Sequence, residues 1–169
     1  MRGLTATLTG MSLALACAAA VSGEFTPETD DAIEACINAA VERLPGLVNG
    51  WQIERPTGTG AIRVDVLATN DRIWQFGCEG GAIVRQKSTN NSGDYQTSRK
   101  RVVVPERSAR QTAAAAYPNG ELLQMKYGRA WKGRVYYTYF FKLPDGREAT
   151  VQVNTATGRI DETSSERKG

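Results

Sequence analysis

Between Asp30 and Leu44 the apolar residues Ile33, Cys36, Ile37, Ala40, Val41 and Leu44 fall on the i, i+3, i+4 stripe of an amphipathic helix. Thr26 before Pro27, followed by Glu28, Asp30 and Asp31, marks the helix start, where negative charge is favoured. Pro45-Gly46 ends it. The period then changes to two. Trp51 to Glu54 alternates, and Thr57-Gly58-Thr59-Gly60 makes a turn. Ile62, Val64, Val66 and Ala68 then alternate with Ala61, Arg63, Asp65 and Leu67. After the turn at Asn70-Asp71, Trp74, Phe76 and Cys78 alternate with Ile73, Gln75 and Gly77, and Gly80-Gly81 leads into Ala82-Ile83-Val84. Period two with Gly, Asn and Asp between the segments predicts an antiparallel meander of about four short strands.

The second half repeats that order. Glu106 to Tyr117 is an Ala-rich helix candidate closed by Pro118-Asn119-Gly120. Strand patterns follow from Leu122, over Val135 to Leu143 and, after the turn Pro144-Asp145-Gly146-Arg147, over the segment REATVQVNT. Thr157-Gly158 precedes a short end at Arg159-Ile160. Placing Gly81-Ala82-Ile83 on Gly158-Arg159-Ile160, 77 positions later, keeps the helices and turns in step within a few residues. Shared order at one offset suggests an internal duplication. The expected fold class is α+β: two helix-plus-antiparallel-sheet units in tandem. The first spans 24–87 and the second 102–163, with a tail at 164–169. The Ser-, Asn- and charge-rich residues 88–101 read as a linker or long hairpin tip. Val102 to Val104 read as a short strand into the second helix.

Residues 1–22 stand apart. Arg2, the apolar run Leu4 to Ala20, and small residues up to Ser22 and Gly23 have the layout of a secretory signal peptide. A membrane anchor is the rival reading, for which the run is short and rich in Ala and Thr. Cys17 is a candidate for lipid attachment, although Ala14 stands where such sites usually carry Leu. Export implies a periplasmic or secreted protein with no stable membrane span once the signal is removed. If Cys17 leaves with it, two cysteines remain, and an even number in an exported chain favours a disulfide. Cys36 lies in the helix stripe and Cys78 is in register with Trp74 and Phe76, so both sulfurs aim at one helix–sheet interface.

The helix closed by Pro118-Asn119-Gly120, the strand near Leu122, the aromatic strand Val135 to Leu143, the turn at Asp145-Gly146-Arg147 and the ending VQVNTATGRI together resemble the PepSY domain over about 60 residues. Asn154 stands where the family often has Asp. PepSY domains are exported or membrane-attached modules proposed to bind or inhibit peptidases and other envelope proteins. The resemblance therefore implies a binding or regulatory role.

The residue chemistry bears on enzyme activity rather than on binding. The chain has no histidine, which removes the commonest general base and transition-metal ligand. No nucleophile elbow, phosphate-cradling glycine loop or metal-ligand spacing occurs in the sequence. No enzyme activity, metal or cofactor is expected, although an acid pair assembled by folding stays open. In the strand from Arg134, the residues Val135, Tyr137, Tyr139, Phe141 and Leu143 share one face and read as core. On the other face, Tyr136 and Phe140 are candidate partner-binding residues, unless the halves pack sheet to sheet and bury them. Charge is segregated: net −6 over residues 21–84, +5 over 85–110 and +3 over 111–169. Arg99-Lys100-Arg101 is the densest basic cluster, a candidate contact for an acidic partner or anionic envelope polymer, or a partner for the acidic first half. The expected partner is another envelope or secreted protein rather than nucleic acid. A structural or sensory component binding cell-wall polymer or a membrane partner is the alternative.

Overall fold

The computed structural model describes residues 26–54, 61–129 and 134–166. The expected signal peptide, Cys17 and the turn at Thr57 to Gly60 lie outside the described residues. The first half folds as α1 (Pro27–Arg43), β1 (Gly46–Ile53), β2 (Ile62–Ala68), β3 (Arg72–Glu79) and β4 (Ala82–Ser92). A short α2 (Tyr95–Arg101) leads to the second half: α3 (Glu106–Ala116), β5 (Glu121–Arg129), β6 (Val135–Lys142), β7 (Glu148–Asn154) and β8 (Ile160–Glu166). Thr26 caps α1 by accepting from the Thr29 amide at 3.2 Å, with Pro27 in the first turn. Asp94 caps α2 in the same way through the Thr97 amide at 2.8 Å.

All strands among the described residues pair antiparallel in one sheet ordered β4-β3-β2-β1-β5-β6-β7-β8. The two meanders thus meet edge to edge rather than sheet to sheet. Their seam is short: Gly50 pairs with Lys126, Trp51 with Met125 and Gln52 with Gln124. Each half reads outward from that seam in the same order, and irregularities recur at matching places. Asn49 is an extra residue between Val48 and Gly50 against β2, and Leu123 is one between Leu122 and Gln124 against β6. The outer pairs shift between Gly77 and Cys78, and again between Gln152 and Val153. A bulge bends the strand locally and is a specific structural feature. Trp51 and Met125, each two residues beyond its bulge, are register partners.

Strand alternation sorts the side chains into two faces. Across the middle of the sheet, the inner row reads Gln86, Phe76, Val64, Trp51, Met125, Tyr139, Val151, Thr163. It is apolar under the helices and polar only at the two edge strands. Ile33, Cys36, Ile37 and Ala40 of α1, with Ala109 and Ala113 of α3, complete this core. The adjoining row on the opposite face reads Lys87, Gln75, Asp65, Gly50, Lys126, Thr138, Gln152, Glu162, and α1 and α3 lie on the far side of the sheet from it.

Residues 88–101 are not a plain linker. β4 continues through them to Ser92, and the rest form Gly93, Asp94 and α2. Gly93 packs closely there, since a Cβ would sit 3.1 Å from both Leu67 methyl carbons. Leu67 belongs to the open-face set, so this crossing covers one end of that face, and α2 packs on β1. Val102 to Val104 form no strand; the Val103 and Val104 amides both donate to the Thr155 carbonyl. The last segment is longer than expected, with β8 pairing along β7 from Ile160 to Glu166. No helix among the described residues is long and apolar enough to cross a membrane.

Cys36 and Cys78 form a disulfide joining α1 to β3, with Cα atoms 5.8 Å apart and a sequence separation of 42. A loop of that length gives about 4 kcal/mol in the chain-entropy description. Replacing both cysteines by Ala should lower the unfolding free energy by up to about that amount, read by denaturant titration of the two proteins. Peptide mapping without reductant should recover the two cysteines in one linked species.

Candidate functional site: a buried ionic clasp and an open sheet face

The most unusual chemistry lies where α1 and α3 meet above the seam. Glu106, Ala109, Arg110 and Ala113 occupy the buried stripe of α3, so helical spacing itself turns an arginine into the core. The Arg110 side chain has no exposed surface. Its guanidinium is gripped by Asp30 at 2.7 Å and Glu34 at 2.8 Å, both from α1, and by Glu106 at 3.3 Å from its own helix. It also lies over the Trp51 ring, 5.9 Å from the centroid. Glu106 faces the sheet as well. Its Oε1 accepts from Trp51 Nε1 at 2.9 Å and from the Tyr139 hydroxyl at 3.2 Å. Nearer the surface, Arg107 contacts Asp30 at 3.5 Å and Asp31 at 3.3 Å.

Burial raises the Glu106 carboxyl above the ordinary carboxylate range, with Arg110, Trp51 and Tyr139 opposing the shift. Burial also pushes the Tyr137 and Tyr139 phenols upward. A raised carboxyl can mark an acid catalyst. Here Glu106 is only 8% exposed, and its oxygens face Trp51, Tyr139 and Arg110. The arrangement acts as a clasp that ties both helices to the strands on either side of the seam.

The opposite face has different chemistry. A depression of about 540 Å³ lies over the seam, lined by Asn49, Gly50, Gln52, Arg63, Asp65, Gln124 and Lys126, with backbone from neighbouring residues. Gly50 creates it: a Cβ there would meet the Met125 carbonyl at 3.0 Å, and its absence leaves the floor as bare backbone. Arg63 donates to Gln52 at 2.6 Å and lies 3.6 Å from Glu54. Gln75 donates to Asp65 at 3.0 Å. Lys126 rests over the Phe140 ring, 5.3 Å from its centroid.

The residues expected to bind a partner are placed as follows. Tyr136 and Phe140 do face away from α1 and α3, in register with Asn154 and Thr150 of β7. Tyr136 is only 6% exposed, however, and Phe140 is half-buried beside Lys126. The two rings therefore form no free aromatic stripe. Arg99 and Lys100 are exposed in the last turn of α2 and Arg101 is half-buried, a position that also suits the helix dipole. Sequence reasoning missed Arg110, Glu106 and the Gly50 depression. The stripe Glu106, Ala109, Arg110, Ala113 carried the signal for the first two.

No protein-family profile matches the chain, and no curated protein is similar to it. Among solved structures it is similar to a "putative lipoprotein" from Clostridium difficile 630, with a TM-score of 0.51 and 13% identity, covering 77% of this chain and 90% of the other. At that identity the likeness concerns the fold. Among the described residues the fold is α+β, three helices with an eight-stranded antiparallel sheet.

Removing the charge that the clasp is built around should leave buried carboxylates unpaired. Arg110→Ala is expected to cost about 3–5 kcal/mol of stability, measured by denaturant unfolding followed through Trp fluorescence. The raised Glu106 carboxyl predicts a pH effect of definite sign. An acid whose folded-state pKa is raised holds its proton longer folded than unfolded. Its contribution is therefore complete below the ordinary carboxylate range and is lost as pH rises toward the raised value. Glu106→Gln should flatten that part of the profile, as read by thermal melts from acid to neutral pH.

Proposed function

We propose that this chain is an exported, PepSY-type binding and regulatory module whose two halves are diverged copies of one unit. It recognises another envelope or secreted protein through the face of the sheet that α1 and α3 leave open. The resemblance of residues 102–163 to the PepSY domain supports the class and carries with it the idea that the partner is a peptidase or other hydrolase held in check. The recurring bulges at Asn49 and Leu123, and the matching shifts beyond Gly77 and Gln152, support the duplication. The disulfide supports a periplasmic or secreted location, since such bonds persist in oxidising compartments.

The observation that carries the binding reading is the contrast between the two faces. The inner row is apolar beneath the helices, whereas the opposite row carries polar side chains on every described strand but β1, where Gly50 opens the depression. A second reading, binding of cell-wall polymer, draws on the exposed cations Arg85, Lys87, Arg99 and Lys100. Photo-crosslinking separates these from a purely structural role. A crosslinking residue placed at Gln75 or Thr138 on the open face should yield a discrete protein adduct in envelope extract, and one at the exposed Gln111 of α3 should not. Equal labelling from both faces, or no adduct from the open face, would refute the assignment.

A further inference from the structure

The depression over the seam has a chemistry specific enough to name its occupant. Its lining supplies the amides of Gln52 and Gln124, which are direct register partners across the seam. Gln124 offers donors and an acceptor and Gln52, whose oxygen already accepts from Arg63, offers its donors, groups that complement those of a peptide unit. Charge around it is unbalanced. Of the charged residues that line it, Arg63 and Lys126 stand against Asp65. Glu54 is taken up by Arg85 at 2.7 Å and Arg63 at 3.6 Å. Asp65 is 4.0 Å from Arg63 and accepts from Gln75. Lys126 pairs with no carboxylate among the described residues and meets only the Phe140 ring. A surplus positive charge beside paired amides and bare backbone complements an anionic chain.

We infer that the Gly50 depression receives an extended, acidic segment of the partner protein. A peptide fits this site better than an acidic glycan, because sugar rings favour an open aromatic face. The rings nearby are not open: Trp51 is 2% exposed on the inner side, Tyr127 is paired with Tyr137, and Phe140 lies beneath Lys126. Sheet geometry also sets the spacing of the charges. Arg63 and Lys126 are two strands and two residues apart, roughly 12 Å from Cα to Cα. An extended chain covers that in about three to four residues, so acidic side chains separated by that interval suit both cations.

The inference rests on the protein-binding reading above, and the test separates them. Fluorescein-labelled hexaglutamate is titrated with the purified chain and followed by anisotropy. Saturable binding is expected that weakens with added salt and is absent for hexaglutamine. Lys126→Glu should weaken it at least tenfold, and Lys126→Gln should weaken it less. Lys142→Glu, the same charge change on the same face but outside the depression, should stay within twofold of the parent. Thermal melts run in parallel confirm that the exposed-site variants are folded. No binding of hexaglutamate, an equal loss in Lys142→Glu, or tighter binding of hexagalacturonate would each overturn the inference. A protein adduct at Gln75 or Thr138 that persists undiminished in Lys126→Glu would overturn it too, while leaving the binding module intact.

Discussion

Arg110 is the constraint around which the rest is arranged. A guanidinium with no exposed surface is tolerable only if every direction around it offers compensation. Asp30 and Glu34 reach it from α1, Glu106 from its own helix, and the Trp51 ring from below. The consequence reaches the strands, because Glu106 is also held by Trp51 on β1 and Tyr139 on β6. These strands flank β5, across a seam of only three residue pairs. So short a junction is a weak joint between two meanders. The ionic and hydrogen-bonded assembly above it binds the first helix, the third helix and both sides of the seam into one unit.

That division explains why the two faces of the sheet differ. On the inner side, helices, apolar rows and the clasp remove water from the seam. On the outer side the same backbone pairs carry Gly50, Gln52, Gln124 and Lys126, and the seam is left bare. Part of the charge segregated along the chain is paired in space, Asp30 and Glu34 of the first half with Arg107 and Arg110 of the second. Acidic residues of the first helix serve the clasp from the inner side, whereas Arg85 and Lys87 on β4 and Lys126 on β5 belong to the open side.

Much of this was legible in the sequence. Periodicity placed α1, α3 and most strands, and the alternation of Val135, Tyr137, Tyr139 and Phe141 named a genuine inner face. The Cys36–Cys78 bridge followed from a helix stripe and a strand register that pointed at the same interface. What pattern could not supply was how the halves meet. Hydrophobic alternation says which side of a strand is buried but not which edge it pairs with. The β1–β5 seam, and hence the depression over it, was therefore invisible. Arg110 was overlooked for a related reason: charge is expected to face solvent, although its i+4 spacing from Glu106 and neighbouring alanines placed it on the buried stripe. Residues 88–101 looked like a linker because their composition is polar, yet an edge strand with an exposed face has that same composition.

The proposed duplication gives these features a common logic. Two copies joined through equivalent strands place Trp51 opposite Met125 and Gln52 opposite Gln124, so the seam is nearly symmetric while its surroundings are not. The first copy fixes its helix to the sheet covalently, through Cys36 and Cys78. In the second, Ala109 and Ala113 pack where that helix meets the sheet, and Arg110 reaches across to α1 instead. One helix is thus tied covalently to its own strands, while the other is held to its strands through Glu106 and Tyr139 and to its neighbour through Arg110. A joint held in this asymmetric way can stay rigid while the open side carries a glycine and a surplus cation at its centre, a combination that two identical copies could not have provided.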